Sequence, residues 1–219
     1  MNDRKPFVEG KGEKVKFTYT VSGMMIVLTL VLSGCGAETT SNESVKVVTP
    51  NTTVATKAQP VEAVAEATRL LQKNEYTAAI AKADEILKIY PNSDEAYSIK
   101  GMAMGLNGAA QGGLEFTKKA YKINPNNVSN YYNMAMLYKL EGNLQEAKNW
   151  FEKVLAKDPR NTWSVYGIAT IYADQGNDEK ALEWLKQAIS IDPVVKDVAR
   201  TQDHFVRFHG NPTFDALVK

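Results

Sequence analysis

Four prolines recur at a fixed interval of 34 residues along this chain. An interval of that length indicates one supersecondary unit used repeatedly. A glycine stands seventeen residues before each of the last three prolines, with asparagine in the matching place of the first unit, and an alanine or glycine stands twelve residues before each. The prolines are Pro91, Pro125, Pro159 and Pro193, the turn residues are Asn74, Gly108, Gly142 and Gly176, and the small residues are Ala79, Gly113, Ala147 and Ala181.

This pattern predicts that each unit is a helix, a tight turn, a second helix and a stop. Glycine or asparagine suits the turn because the chain adopts a positive φ there. Proline ends the second helix because it lacks an N–H and biases the preceding residue away from helical geometry. We therefore expect first helices near 61–73, 94–107, 128–141 and 162–175, second helices near 76–89, 110–123, 144–157 and 178–191, and no strand within 61–193.

Two consecutive stretches, residues 130–161 and 163–193, resemble the tetratricopeptide repeat. The matching slots of the third unit are Tyr131, Met134, Ala135, Tyr138, Gly142, Ala147, Phe151, Val154 and Pro159, and those of the fourth are Val165, Ile168, Ala169, Tyr172, Gly176, Ala181, Leu185, Ala188 and Pro193. The alanines suit a place where two helices cross closely. The resemblance implies an all-α, right-handed solenoid of about four repeats at 60–93, 94–127, 128–161 and 162–193.

The first two units depart from that pattern. Glu66 and Lys100 occupy an apolar slot, and Gly113 replaces the alanine. We interpret the glycine-rich residues 108–113 as loosening the start of a helix, since glycine lowers helix propensity by about 1 kcal/mol relative to alanine.

The C-terminal residues 194–219 are predicted to leave the 34-residue frame. The last repeat of a solenoid must have its apolar edge covered. We therefore expect capping helices in this region. The apolar residues available for the cap are Val195, Val198, Phe205, Phe208, Phe214 and Leu217.

The N-terminal residues 1–34 have the pattern of an export signal. Basic residues precede an apolar stretch at 21–32, and small residues follow it. The sequence from Leu32 to Cys35 resembles a bacterial lipoprotein box, which implies cleavage before Cys35 and a lipid on its thiol. An uncleaved signal anchor and an ordinary soluble start remain alternatives. Cys35 is the single cysteine of the chain, so an intramolecular disulfide is excluded.

Residues 36–60 are rich in Thr, Ser, Asn and Pro and show no helical period. We interpret 35–60 as the lipidated cysteine followed by a flexible tether. This predicts a protein held by a lipid anchor on the extracytoplasmic side of the cell membrane, on its periplasmic or extracellular face.

Charge and motifs argue against several function classes. Lys and Arg number 26 and Asp and Glu number 25, so there is no electrostatic footprint for nucleic acid. No nucleophile–base pair, metal cluster or phosphate loop is evident. His204 and His209 lie five apart, which does not suit a metal pair on one helix. We interpret both histidines as solvent-edge residues of a capping helix, and we expect no catalysis, metal, cofactor or small-molecule substrate.

The resemblance implies a concave groove, lined by the first helices, that binds a protein or peptide. The groove residues expected to contact it are Met102, Tyr132, Asn133, Met136, Lys139, Trp163, Tyr166 and Thr170. Aromatic residues and methionine are favoured at contact surfaces, and an exposed stripe of them would be unusual. The alternative is that these side chains pack against neighbouring helices or the cap. With Lys139 as the only groove cation, capture of a carboxylate is not expected.

These features predict a membrane-anchored scaffold or adaptor for protein–protein interaction at the bacterial cell envelope. The alternatives are a non-catalytic accessory subunit of an envelope enzyme and a pilus or outer-membrane assembly lipoprotein.

Overall fold

A computed structural model describes residues 61–219, and this part of the chain contains helices and no strand. The first helices of the four units are α1 (Val61–Gln72), α3 (Asp94–Leu106), α5 (Val128–Leu140) and α7 (Thr162–Asp174), and the second helices are α2 (Tyr76–Ile89), α4 (Ala110–Ile123), α6 (Leu144–Lys157) and α8 (Asp178–Ile191). The predicted helix ranges are confirmed to within one residue. The predictions for the signal sequence at 1–34, for Cys35 and for the tether at 36–60 lie outside the described residues.

The turn between the two helices of each unit has the left-handed geometry that the sequence predicted. The φ angle is 62° at Asn74, 92° at Gly108, 79° at Gly142 and 73° at Gly176. A side chain is strained there, whereas glycine and asparagine tolerate it. This shared turn makes the two helices of each unit antiparallel neighbours.

Helices of successive units stack in two layers. Each first helix packs against the first helix of the next unit, and the second helices lie on the outer side. Three apolar clusters fill the interior in sequence: one in units one and two, one from unit two to unit four, and one between unit four and the C-terminal residues. Trp150 is buried in the middle cluster, while Trp163 and Trp184 pack against the last. The inner faces of α3, α5 and α7 therefore form the concave surface.

The helix crossings of units three and four are formed by fully buried alanines, as expected. Ala135 and Ala147 are fully buried in one apolar cluster in unit three, and Ala169 and Ala181 occupy the same places in unit four.

Unit two is closer-packed than the sequence suggested. A Cβ added to Gly113 would lie 2.3 Å from the carbonyl oxygen of Gly101, and one added to Gly101 would lie 2.6 Å from that of Gly113. These backbones touch, so even alanine does not fit. Gly113 lies in the first turn of α4 and permits the close crossing. This packing role was not part of the interpretation of residues 108–113 as a loosened helix start.

The polar residue Lys100 in an apolar slot of unit two is satisfied by its partners. Its Nζ lies 2.6 Å from Asp84 Oδ1 and 4.1 Å from the ring centre of Phe116. The aliphatic part of a lysine side chain covers apolar surface while its charge finds a partner. Glu66, in the same slot of unit one, forms an ion pair with Arg69 at the surface.

The C-terminal residues form a cap and also return to the repeat frame. They comprise α9 (Val195–Thr201), a 3₁₀ helix (Asp203–Phe208) and α10 (Pro212–Leu217). Gly210 lies 34 residues after Gly176 and has a φ of 86°, while the Asn211 side chain caps α10 as Asn177 caps α8. The prediction that this region leaves the frame is therefore wrong: it follows the register of a fifth unit whose first helix is interrupted at Gln202.

The apolar residues expected in the cap are placed as predicted. Val195, Phe205, Phe208 and Phe214 are buried in the last cluster, and Val198 and Leu217 pack against it. Within residues 61–219, no helix is long and apolar enough to cross a membrane.

Candidate binding groove

The eight residues predicted to line a groove all lie on the first helices of units two to four. Met102 is on α3, Tyr132, Asn133, Met136 and Lys139 are on α5, and Trp163, Tyr166 and Thr170 are on α7. Because α3 packs against α5 and α5 against α7, these residues belong to one continuous surface.

That surface is not the exposed aromatic stripe that the sequence suggested. Met102 and Tyr166 are 8% exposed, and Thr170 is 2% exposed. Tyr132, Asn133, Met136, Lys139 and Trp163 are half-buried. The expectation of an exposed stripe is therefore corrected in favour of the alternative, in which neighbouring helices and the cap cover these side chains. Which of them contact a partner stays a prediction.

Polar side chains connect the helices on the inner face of units two and three. The Asn133 amide donates to Ser98 Oγ over 2.8 Å, which joins α5 to α3. The Asn127 amide donates to Asp94 Oδ2 over 2.8 Å, and the Asn130 amide reaches the same oxygen at 3.3 Å. Buried polar groups are stable where they find such partners. Asn133 thus has a structural role in holding unit three against unit two.

Lys139 lies at the centre of a second polar cluster, which joins α5, α7 and the 3₁₀ helix. Its Nζ is 2.7 Å from Thr170 Oγ1, 3.0 Å from His204 Nε2 and 3.9 Å from Asp174 Oδ2. The lysine side chain is 10% exposed. Burial lowers the pKa of Lys139 to about 8, and the nearby Asp174 carboxylate opposes that change.

His204 lies between Lys139 and Asp174, the two charged members of this cluster. Its Nδ1 lies 2.5 Å from Asp174 Oδ1, while its Nε2 faces the lysine. An imidazole with the proton on Nδ1 donates to the carboxylate and accepts from the ammonium, which satisfies both neighbours. The side chain is only 14% exposed, so the interpretation of His204 as a solvent-edge residue is wrong. His209 is exposed, with its ring edge-on to Phe214.

Two tyrosines lie beside this cluster on the inner face. Burial raises the pKa of both Tyr132 and Tyr166, and Tyr166 is raised further by Tyr132 and Asp174. The Tyr166 hydroxyl has no hydrogen-bond partner within residues 61–219, although it is buried. Its ring packs against Trp163 on one side and Phe205 on the other, at 5.9 Å between ring centres in each case.

The 3₁₀ helix Asp203–Phe208 therefore occupies the concave surface of units three and four. Besides His204 and Phe205, Arg207 holds it there, donating to the carbonyl oxygen of Ala173 over 2.8 Å and pairing with Asp178 at 2.6 Å. Lys139 is consequently not the only cation at the groove.

Sequence reasoning missed the roles of His204, Arg207 and Asp174. A signal was present, because Gly210 continues the glycine interval and places His204 at the same register position as Thr170, Met136 and Met102. In the part of the chain that the structure describes, no three His, Cys, Asp or Glu side chains are grouped to hold a metal ion.

Comparison with known proteins agrees with this architecture. Two family models described as tetratricopeptide repeat match, one over residues 138–202 and another over residues 116–149. No curated protein matches the chain.

Solved structures of MamA are among those that resemble this fold. One aligns at a TM-score of 0.53 with 20% identity over 69% of this chain and 88% of its own. A MamA RS-1 double mutant gives a TM-score of 0.55 with 19% identity over 74% of this chain and 96% of its own. MamA from Desulfovibrio magneticus RS-1 gives 0.54 with 18% identity over 74% and 95%. At such identities the likeness concerns the fold alone. Tetratricopeptide repeats are thus recognised within residues 116–202, and the fold is an all-α array of helix-turn-helix units of that kind.

Proposed function

We propose that this protein is a membrane-anchored scaffold that binds a protein or peptide partner at the bacterial cell envelope. Tetratricopeptide repeats are interaction modules, and this fold supports a role in protein–protein interaction. The observation that carries the proposal is the inner face of α3, α5 and α7, where Tyr132, Met136 and Trp163 are half-buried rather than fully covered. Aromatic side chains and methionine concentrate binding energy at protein interfaces.

The partner would be identified by crosslinking the intact protein in its own cells. We expect a protein crosslinked through α5 or α7, with Met136→Glu reducing its yield because a charge would be buried in the contact. The control is Lys157→Glu, an exposed position at the end of α6 on the outer layer. Equal loss with both variants, or crosslinks confined to the outer helices, would place the binding surface elsewhere.

The anchor is a separate part of the proposal and depends on one residue. Cys35 follows an apolar stretch and small residues in a pattern similar to a lipoprotein box. Two acyl chains, at about 0.8 kcal/mol for each buried CH₂, would hold the protein at the membrane stably. The scaffold would then face the extracytoplasmic side.

Palmitate labelling tests the anchor directly. Cys35→Ser should abolish the label and leave an uncut precursor, since serine offers no thiol. Gly34→Ala keeps a small residue before the cysteine and should still be labelled. A label that persists in the serine variant would remove the lipid anchor from the proposal without affecting the scaffold role.

A further inference from the structure

The C-terminal residues do two different things. α9 and α10 pack against α8 and cover the end of the last complete unit. The 3₁₀ helix Asp203–Phe208, which we call the groove segment, packs against α7 and contacts Lys139 on α5. A cap needs only the first kind of contact. The groove segment lies instead where a bound partner is expected.

The side chains of the groove segment each find a complementary group on the repeats, as those of a bound peptide ligand would. An imidazole, His204, fits between an ammonium and a carboxylate, a place that requires one acceptor and one donor on the same ring. The adjacent Phe205 packs on the Tyr166 ring. Arg207 satisfies a carboxylate and a backbone carbonyl on the same side.

We infer that the inner surface of units three and four is a receptor for a short segment with the order imidazole, aromatic, any residue, guanidinium. The groove segment is its internal ligand, and a partner polypeptide with this order displaces it. This inference rests on the proposed function and specifies its partner.

The backbone and the polar contacts of the internal ligand favour exchange. The backbone of Gln202 is extended, with φ −81° and ψ 137°, so it separates α9 from the groove segment. The Arg207 and Asp178 side chains are about half exposed, at 45% and 51%, and such ion pairs contribute little net stability. A competing segment with the same side chains would recover the contacts that His204, Phe205 and Arg207 make with α5, α7 and α8. The internal copy keeps the packing of its phenylalanines on Phe214 and an advantage in effective concentration, which is of millimolar order for short linkers. Wild-type protein should therefore bind a partner weakly until that copy is loosened.

Complementation in trans tests this inference. The probe is a fluorescent synthetic peptide with the sequence of residues 201–210, added to the full chain. His204→Ala with Arg207→Ala removes the polar contacts of the internal copy and leaves Lys139 and Asp174 without the imidazole. We expect this double variant to bind the peptide at least about tenfold more tightly than wild-type protein, because the peptide restores those contacts. His204→Ala alone should give a smaller gain in the same direction.

Three controls accompany the measurement. Val206→Ala changes an exposed residue of the groove segment and should leave peptide binding at the wild-type level. A peptide with alanine in place of histidine should not distinguish the double variant from wild-type protein. The helical circular dichroism of each variant establishes that it is folded.

The contrary outcomes are distinct. If folded double and single variants bind the peptide no better than wild-type protein, the groove segment is a fixed part of the fold and the inference fails. Equal gain with the alanine peptide would show that the imidazole is not recognised. A cellular partner crosslinked elsewhere would leave the scaffold proposal standing and overturn this inference alone.

Discussion

Units two and four share the same 34-residue repeat pattern, but different residues fill the space between their helices. In unit two the backbones of Gly101 and Gly113 touch, and the adjoining Ala96 and Ala103 are fully buried. In unit four the crossing is Ala169 against Ala181, and the concave side is filled by Tyr166 and residues of the C-terminal segment. The helices of unit two pack closely because glycines have no side chains at the crossing. In unit four, large side chains instead fill the space on the concave side.

This difference shows that the repeat period specifies the path of the backbone and leaves the distance between helices to each unit's own residues. A glycine pair permits the shortest distance at the expense of helix propensity. Bulky and polar side chains on the concave side instead require partners, which the groove segment supplies. The two units should therefore respond in opposite ways to small changes in side-chain size.

The largest effect is expected at the glycine contact of unit two. Gly113→Ala should lower the free energy of unfolding by about 3 kcal/mol or more, since its Cβ would meet backbone atoms that have no room to move. Chemical denaturation measures this. The matched control is Gly112→Ala, one residue away in α4, whose Cβ would meet only the end of the flexible Met104 side chain at 3.0 Å. It should be neutral or stabilising by up to about 1 kcal/mol. Similar stability of the two variants would show that the close glycine contact does not distinguish unit two from unit four.

The next effect concerns the polar concave side of units three and four. The pKa of Lys139 falls from 10.5 to about 8 on folding because the ammonium is buried. Between those pH values the unfolded chain binds more protons, so stability from this group rises with pH, by on the order of 2–3 kcal/mol. Measured from pH 7.5 to 10.5, wild-type protein should gain this amount relative to Lys139→Met. A constant difference between the two proteins over that range would show that the lysine is hydrated in solution.

A smaller effect is expected from the two buried tyrosine hydroxyls of units three and four. Tyr166→Phe removes a hydroxyl without a partner among the described residues and should be neutral or stabilising by up to about 1 kcal/mol. Tyr131→Phe is the matched change, because that hydroxyl donates to the carbonyl oxygen of Pro125. It should be destabilising by about 1 kcal/mol. Thermal melting of both variants tests the pair, and a larger loss for Tyr166→Phe would mean that its hydroxyl does have a partner in solution.

The last effect belongs to the turns, which all units share. At Gly142, with a φ of 79°, alanine should lower stability by about 1–2 kcal/mol and asparagine by less. Asn74 already occupies the same place in unit one. If alanine and asparagine were equally destabilising in denaturation experiments, the turn would tolerate side chains for a reason other than left-handed geometry.

The helix positions were predictable from the sequence, and the filling of the groove was not. Proline and glycine determine where a helix ends through local backbone geometry. The roles of Pro125 and Gly142 can therefore be predicted from the sequence alone. Gly101 gives no such signal, since a glycine inside a helix indicates weak propensity until its neighbour across the crossing is known. The interpretation of His204 was wrong for a related reason, because its partners Lys139 and Asp174 are distant in sequence. The only sequence feature that connects the three residues is the glycine at Gly210, which continues the 34-residue interval.

The positions of the three tryptophans make the two halves of the array optically distinguishable. Trp150, Trp163 and Trp184 are the only tryptophans of the chain, and all lie in units three and four or their cores. Indole emission therefore reports the C-terminal half without any label, whereas far-ultraviolet circular dichroism reports every helix. In a linear array each unit is stabilised chiefly by its neighbours. A difference between the two signals during unfolding would reveal which half melts first.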